Sequence, residues 1–319
     1  MTGGDPRLPI TLVTGFLGSG KTTLLSALLR RPESGRLAIV INEFGEVPLD
    51  QALIGRTEGQ VVVLSGGCLC CAIGGDVVST LLDLYRRRKE NPFERVVIET
   101  SGLADPGPIL APLVQAPELT NLFRVDGVVA VVDALQGLRE LERQRVSVKQ
   151  VALADRIVLT KSDIAAPVAA ARLRDRLAEI NPWAPLVAVN HGAVDAAWLF
   201  EPASARPIFG PDGASGSHHH NHSHGISAFC LWFDKPLTWA FFARAVGKLT
   251  DAHGEAILRI KGLLNLDGHP VAVHGVQHFL HPPEPLLAWP DAERRSRLIV
   301  IADRLKEAEV RSYFSRDGE

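Results

Sequence analysis

The stretch Gly15-Phe-Leu-Gly-Ser-Gly-Lys21-Thr22-Thr23 restricts what this chain can become more than any other. It follows the apolar run Leu8–Val13 and opens the apolar-periodic run Leu24–Leu29. A strand, a glycine-rich loop and a helix starting at a Lys-Thr pair form the context that a nucleotide phosphate site requires. Gly15, Gly18 and Gly20 let the loop curl with its N–H groups inward, in dihedrals that a Cβ would obstruct. The helix start adds its dipole and its free amides. Lys21 is then expected to neutralise the β- and γ-phosphates and the Thr22 hydroxyl to enter a Mg²⁺ shell, with Ser19 and Thr23 bordering the phosphates.

Composition bounds the rest. The chain has 319 residues, 46% hydrophobic and 22% charged, as expected for a globular protein of one large domain or more. Its 34 basic and 36 acidic residues leave a formal net charge of −2, which offers no electrostatic footprint for nucleic acid. No apolar run reaches membrane-spanning length, and Met1–Pro9 does not read as a signal peptide, so a cytoplasmic protein without a membrane partner is expected. Three of the four cysteines fall within Cys68–Cys71, which argues against a disulfide framework.

Short apolar runs alternate with helical patterns over residues 1–200. Strands are predicted at Leu8–Val13, Leu37–Ile41, Val61–Leu64, Arg95–Glu99, Gly127–Val132, Arg156–Leu159 and Leu186–Val189. Most are continuous rather than alternating, the pattern of parallel strands covered on both faces. Helices are predicted at Asp76–Arg88 and Val168–Ile180, the second stopped by Asn181-Pro182. The reading is an α/β phosphate-loop domain, a doubly wound, mostly parallel sheet. Residues 201–225, rich in proline, glycine, serine and histidine, read as a linker. Residues 226–319 read as a smaller α+β domain, with strands at Ile226–Phe233, Ile257–Leu266, Val271–Val276 and Arg297–Ile301. A helix over Thr238–Leu249 would turn Trp239, Phe242, Val246 and Leu249 to one face, and Asp303 would cap a last helix ending near Phe314.

Four further groups carry chemistry. In Thr160-Lys-Ser-Asp163, a carboxylate at a late strand end can accept both guanine N1–H and N2–H₂, a donor pair that adenine lacks. Lys161 would cover the base plane; the usual first residue of such a tetrapeptide is asparagine, and Thr160 stands there instead. In Val96-Val-Ile-Glu99-Thr-Ser101-Gly102, Glu99 would orient Mg²⁺ or its water, and Ser101 and Gly102 would face the γ-phosphate. Gly66-Gly-Cys68-Leu-Cys70-Cys71 offers three soft thiolates suited to Zn²⁺ or Cu(I), with Co²⁺ or Ni²⁺ also possible. Three local ligands leave a position open, which suits binding followed by release, while neighbouring thiols can alternatively serve as a redox pair. His218, His219, His220, His222 and His224 form a tract suited to weak divalent-metal capture, or to a solvated low-complexity loop. His274, His278 and His281 read as packed or surface histidines.

Taken together, GFLGSGKTT at 15–23, NEFGE at 42–46, GGCLCC at 66–71, ETSGLADP at 99–106 and TKSD at 160–163 resemble the CobW group of the G3E P-loop GTPases, metal chaperones or metal-insertion proteins. Leu258-Arg-Ile-Lys-Gly262 and Val273-His-Gly-Val-Gln-His278 resemble that family's C-terminal domain, so the likeness covers nearly the whole chain. It implies Mg²⁺-dependent GTP hydrolysis coupled to handling of Zn²⁺, or alternatively Co²⁺, and delivery to a client apo-metalloprotein. It also implies a switch at Asn42–Glu46, with Glu46 as a possible further ligand, and Glu99 as the glutamate of the Mg²⁺ strand. Intrinsic turnover is expected to be slow, and a switch-mediated homodimer is compatible with the pattern. Alternatives are cobalt insertion into a corrin, activation of one metalloenzyme, a metal- or redox-sensing module with negligible turnover, and an ATP-using kinase-like protein.

Overall fold

The computed structural model describes residues 5–31, 33, 35–42, 61–66, 75–200, 225–277 and 279–315. By its internal contacts the chain divides into two compact units, Met1–Asp175 with Ala184–Ala203, and Arg176–Trp183 with Ser204–Glu319.

The first unit contains β1 (Leu8–Thr14), α1 (Lys21–Leu29), β2 (Leu37–Asn42), β3 (Val61–Gly66), α2 (Gly75–Arg87) and β4 (Arg95–Glu99). Next along the chain come α3 (Gly107–Gln115), α4 (Pro117–Thr120), β5 (Phe123–Asp133), α5 (Gly137–Arg143) and α6 (Arg145–Leu153). After β6 (Arg156–Thr160) and α7 (Pro167–Ile180), β7 (Leu186–Ala188) and α8 (Ala196–Phe200) follow. The seven strands form one sheet in the order β3-β2-β4-β1-β5-β6-β7, and every neighbouring pair is parallel. The continuous apolar runs are explained by this burial: Ile10, Leu12 and Val13 of β1 and Val96, Val97 and Ile98 of β4 are all enclosed. One face of β1 packs against Leu24, Leu25 and Leu28 of α1.

Strand β5 is longer than the apolar run Gly127–Val132, because its first residues carry polar side chains with a structural task. The β1–β5 register shifts between Ile10 and Thr11, pairing them with Val125 and Gly127, so Asp126 is the extra residue of a bulge. Its carboxylate is buried and accepts from Arg95 Nη1 at 2.6 Å and from Arg124 Nη1. Arg95 also donates to Thr11 Oγ1 at 3.2 Å and lies 4.6 Å from the Phe200 ring centroid. Burial lowers the Arg95 pKa, and the Asp126 carboxylate partly restores it.

The second unit contains β8 (Ile226–Phe233), α9 (Trp239–His253), β9 (Ile257–Leu266), β10 (His269–Val276), β11 (Phe279–Leu280), β12 (Glu284–Pro285), β13 (Ser296–Asp303) and α10 (Glu307–Tyr313). Its antiparallel sheet has the order β11-β10-β9-β13-β8, with β12 alongside β10. Leu231, Phe242, Leu249, Ile260, Leu298, Val300 and Phe314 meet in its core. Trp239 shares the face of Phe242, with ring centroids 5.8 Å apart, but at the first position after the Thr238 cap it stays 40% exposed. One expectation is corrected. The last helix is not capped by Asp303, which ends β13; Lys306 takes the cap position, and its N–H donates to Glu309 Oε2 at 3.0 Å.

The Asp126 pairs predict a large stability effect far from the glycine loop. Asp126→Ala should lower the melting temperature of the first unit by about 10 °C, since it strands two arginines at a buried site for about 3 kcal/mol. Calorimetry on the variant checks this.

Candidate functional site

The loop after β1 takes the shape that its glycines permit. Gly15, Gly18 and Gly20 have φ of 144°, 73° and 96°, all in the range that side chains rarely enter. At Gly15 the argument is also steric, since a Cβ would lie 2.2 Å from Val131 O. Gly20 precedes α1, and no side chain caps that helix start. A helix start of this kind, with its amides and its positive dipole end, suits an anionic ligand. Lys21 is 8% exposed; its Nζ donates to Gly15 O at 2.9 Å and Phe16 O at 3.3 Å, which keeps the ammonium within the loop's curl.

Glu99 ends β4, the strand next to β1, and is 3% exposed. Thr22 Oγ1 donates to Glu99 Oε1 at 3.1 Å. A hydroxyl and a carboxylate this close form an all-oxygen pair, the donor chemistry that a hard divalent cation such as Mg²⁺ takes, so these residues fit that ion. Beyond Glu99, Ser101 and Gly102 are buried, and a Cβ on Gly102 would lie 2.6 Å from Leu17 N. Only glycine allows that approach between the two loops. Thr23 is exposed on the first turn of α1.

The other end of the site lies at the end of β6. Thr160 is buried, and its hydroxyl donates to Ser19 O at 2.7 Å, with Val132 O at 3.2 Å. The departure from asparagine therefore sits where a short hydroxyl can tie β6 to the glycine loop. Lys161, with φ 55°, donates through Nζ to Gly18 O at 2.9 Å and to Asp133 Oδ2 at 2.6 Å. Asp163 is exposed. With its amide nitrogen turned inward, Asn190 has Ser162 Oγ at 3.1 Å, Asp163 Oδ1 at 3.2 Å and Val189 O at 3.2 Å as acceptors for its two protons.

The structure thus gathers Gly15, Gly18, Ser19, Gly20, Lys21, Thr22, Glu99, Ser101 and Gly102 at the C-terminal edge of the sheet, with Lys161 and Asp163 in the segment that follows β6. Sequence reasoning missed Asp133, which follows the apolar run ending at Val132, and Asn190, which has no local signal. Cys68, Cys70, Cys71, Glu46, His278 and the histidines at 218, 219, 220, 222 and 224 lie outside the described residues. Among the described residues, no group of three or more His, Cys, Asp or Glu side chains is placed to hold a metal ion. Strand β3, which precedes the cysteines, is the outer strand of the sheet; β2 and β4 lie between it and β1. His274 is partly buried, and its carbonyl accepts from His281 N at 2.8 Å. Cys230 is a free thiol whose pKa burial pushes up to about 12, so it stays protonated at neutral pH and is a poor metal ligand.

Glu140 sits near this centre. Burial raises its carboxyl pKa, the Asp133 carboxylate adds to the rise, and Lys161 and Lys21 oppose it.

Comparison with known proteins adds a second kind of observation. The family described as CobW/HypB/UreG, nucleotide-binding domain, matches residues 9–188, and the cobalamin synthesis protein cobW C-terminal domain matches residues 226–316. The chain is 35% identical to the zinc chaperone YjiA of Escherichia coli, over 97% of this chain and 98% of that one. It is 33% identical to the zinc chaperone CobW of Pseudomonas aeruginosa, over 95% and 90% of the two chains. The crystal structure of Zn(II)-bound YjiA GTPase superposes with a TM-score of 0.72 at 30% identity, covering 97% of this chain and 98% of that one.

Two outcomes are expected. For the guanine-reading role expected of Asp163 from the sequence, Asp163→Asn should weaken GTP binding by about 10- to 100-fold while leaving ATP binding unchanged, the value of a lost charged hydrogen-bond pair; nucleotide titration measures it. Glu140→Gln should stabilise the protein at pH 7 but not near pH 4. A raised carboxyl pKa makes the folded state relatively more stable below the usual carboxylate range, and that advantage is lost as pH rises through the folded-state value. Thermal melts of both proteins at the two pH values test the sign.

Proposed function

This chain belongs to the CobW/HypB/UreG family, is a GTPase, and from that premise we propose that it is a zinc metallochaperone whose nucleotide state times the hold and release of the metal. The observation that carries the reading is the 35% identity to a zinc chaperone across 97% of the chain. In this reading Lys21 neutralises the phosphates, and the amides at the start of α1 bind their oxygens. Thr22 and Glu99 hold Mg²⁺, which when bound screens the charge that develops on the β- and γ-phosphates. Gly102 gives its backbone to the γ-phosphate side of the site, and Asp163, held by Asn190, reads guanine. The cargo, Zn²⁺ ahead of Co²⁺, is taken by the thiolates of Cys68, Cys70 and Cys71, with release of their protons.

Delivery requires a client protein, and the surface supports one. Leu17, Leu103, Leu135, Ile164 and Val168 are large apolar side chains between 46% and 73% exposed, and each follows the C-terminal end of β1, β4, β5 or β6. Exposed apolar side chains at that edge are groups that a docked partner would cover. A client bound there would meet the nucleotide edge of the sheet.

Zinc titration of the apo, GDP-bound and GTP-analogue-bound forms tests the coupling. The expected result is a different affinity in the GTP-analogue form, and equal affinities in all three states would sink the proposal. Serine at positions 68, 70 and 71 should abolish tight zinc binding and leave nucleotide binding intact, whereas Cys230→Ser should change neither.

A further inference from the structure

Helix α6 holds the loop that follows β4. Gln150 is 1% exposed, and its Nε2 donates to Gly102 O at 3.2 Å and to Ala104 O at 3.1 Å. Both carbonyls only accept, so the amide nitrogen must face them and both of its protons are used. The preceding residue grips the same loop independently: Lys149 Nζ lies 2.6 Å from Asp105 Oδ2. Asp105 Oδ1 in turn accepts from Gly107 N at 3.0 Å, which joins the loop to the start of α3. Three bonds from one helical turn therefore span Gly102 to Asp105. Gly102 is the residue whose backbone abuts Leu17 of the glycine loop.

The far end of the same amide turns toward that glycine loop. Among the described residues, Gln150 Oε1 and the buried Ser147 Oγ have no protein hydrogen-bond partner. Both residues line a cavity of about 10 Å³ shared with Gly15 and Phe16. That is about the volume one water molecule needs.

We propose that Gln150 is a positioning residue for GTP hydrolysis: it fixes Gly102 against the glycine loop, so the Gly102 backbone waits where a γ-phosphate arrives. The inference rests on the chain's GTPase activity and on the role given above to Gly102. GDP carries no γ-phosphate, so a residue that acts only through Gly102 affects GTP and its turnover and leaves GDP binding alone. A packing role would instead weaken both nucleotides together.

Gln150→Met keeps the volume of the side chain and removes its two donors. The expected result is a single-turnover GTP hydrolysis rate about 10- to 100-fold lower, the scale of a small misplacement of a reacting group. GDP affinity should stay within about twofold, and the preference for a non-hydrolysable GTP analogue over GDP should shrink. Lys149→Met, which breaks the separate ion pair, should lower the rate in the same direction by a smaller factor. An unchanged rate in Gln150→Met, or GDP and GTP-analogue affinities falling in parallel, would overturn the proposal. Amide hydrogen exchange over residues 102–107 gives a readout without nucleotide. Faster exchange in Gln150→Met supports the positioning, and unchanged exchange rejects it. Wild-type protein that fails to hydrolyse GTP with Mg²⁺ would count against the GTPase reading itself, and the exchange result separates the two failures.

Discussion

The site depends on a loop that is held chiefly through its backbone. Three glycines with positive φ give the turn between β1 and α1 its curl, and the same residues leave it without side chains to hold that curl. The restraint acts on the loop's carbonyls, from the end of β6 and the residue after it and from the start of α1, while one bond within the loop runs from Ser19 N to Phe16 O. Thr160 Oγ1 takes Ser19 O, Lys161 Nζ takes Gly18 O, and Lys21 Nζ takes Gly15 O. These bonds turn the carbonyls of Gly15, Gly18 and Ser19 toward the protein, and the helix start that follows suits phosphate. The loop is thus organised through its backbone acceptors.

Much of the first unit was legible because parallel strands buried on both faces must be continuously apolar. Where β5 departs from that rule, at Arg124 and Asp126, the sequence pattern failed and the strand looked shorter than it is. A bulge with a buried ion pair has no signature in periodicity. Helices α3, α4, α5 and α6 escaped for local reasons. Proline at the start of α3 and again at Pro112 mimics a loop, α4 is a single turn, and α5 and α6 are separated only by Gln144. In the second unit a carboxylate at Asp303 looked like a cap, but Arg304 takes φ 55° and carries the chain on to Lys306 before the helix starts.

The candidate site divides along the same line. Lys21, Thr22 and Glu99 could be read because their chemistry requires fixed spacings or a strand end. Asp133, Gln150 and Asn190 could not, because each acts on a residue distant in the chain. Asp133 holds Lys161, Gln150 holds Gly102, and Asn190 holds Asp163. Sequence motifs identify the groups that face a ligand, and the residues that orient those groups become visible only with the tertiary structure. Thr160 belongs to both classes. Its position marked it as part of the base-reading tetrapeptide, but its bonds run to the glycine loop and to β5.

In the proposed reading a metal loop and a phosphate loop belong to one machine, and the sheet order is compatible with that. Strand β4 lies between β1 and β2, and its last residue, Glu99, bonds to Thr22. Strand β2 ends at Asn42 and β3 at Gly66, both parallel to β4 and paired in sequence across the sheet. All four strands therefore deliver their C-terminal ends to one edge, as doubly wound sheets do with their binding loops. In the proposed reading the thiolates follow the outermost of these strands and the phosphates follow the innermost. A change at Glu99 when nucleotide binds is then one strand from the segment beginning at Asn42 and two from the one beginning at Gly66. Any free energy by which nucleotide alters the hold on zinc must act equally in reverse, so a client that removes the metal also alters the hold on nucleotide.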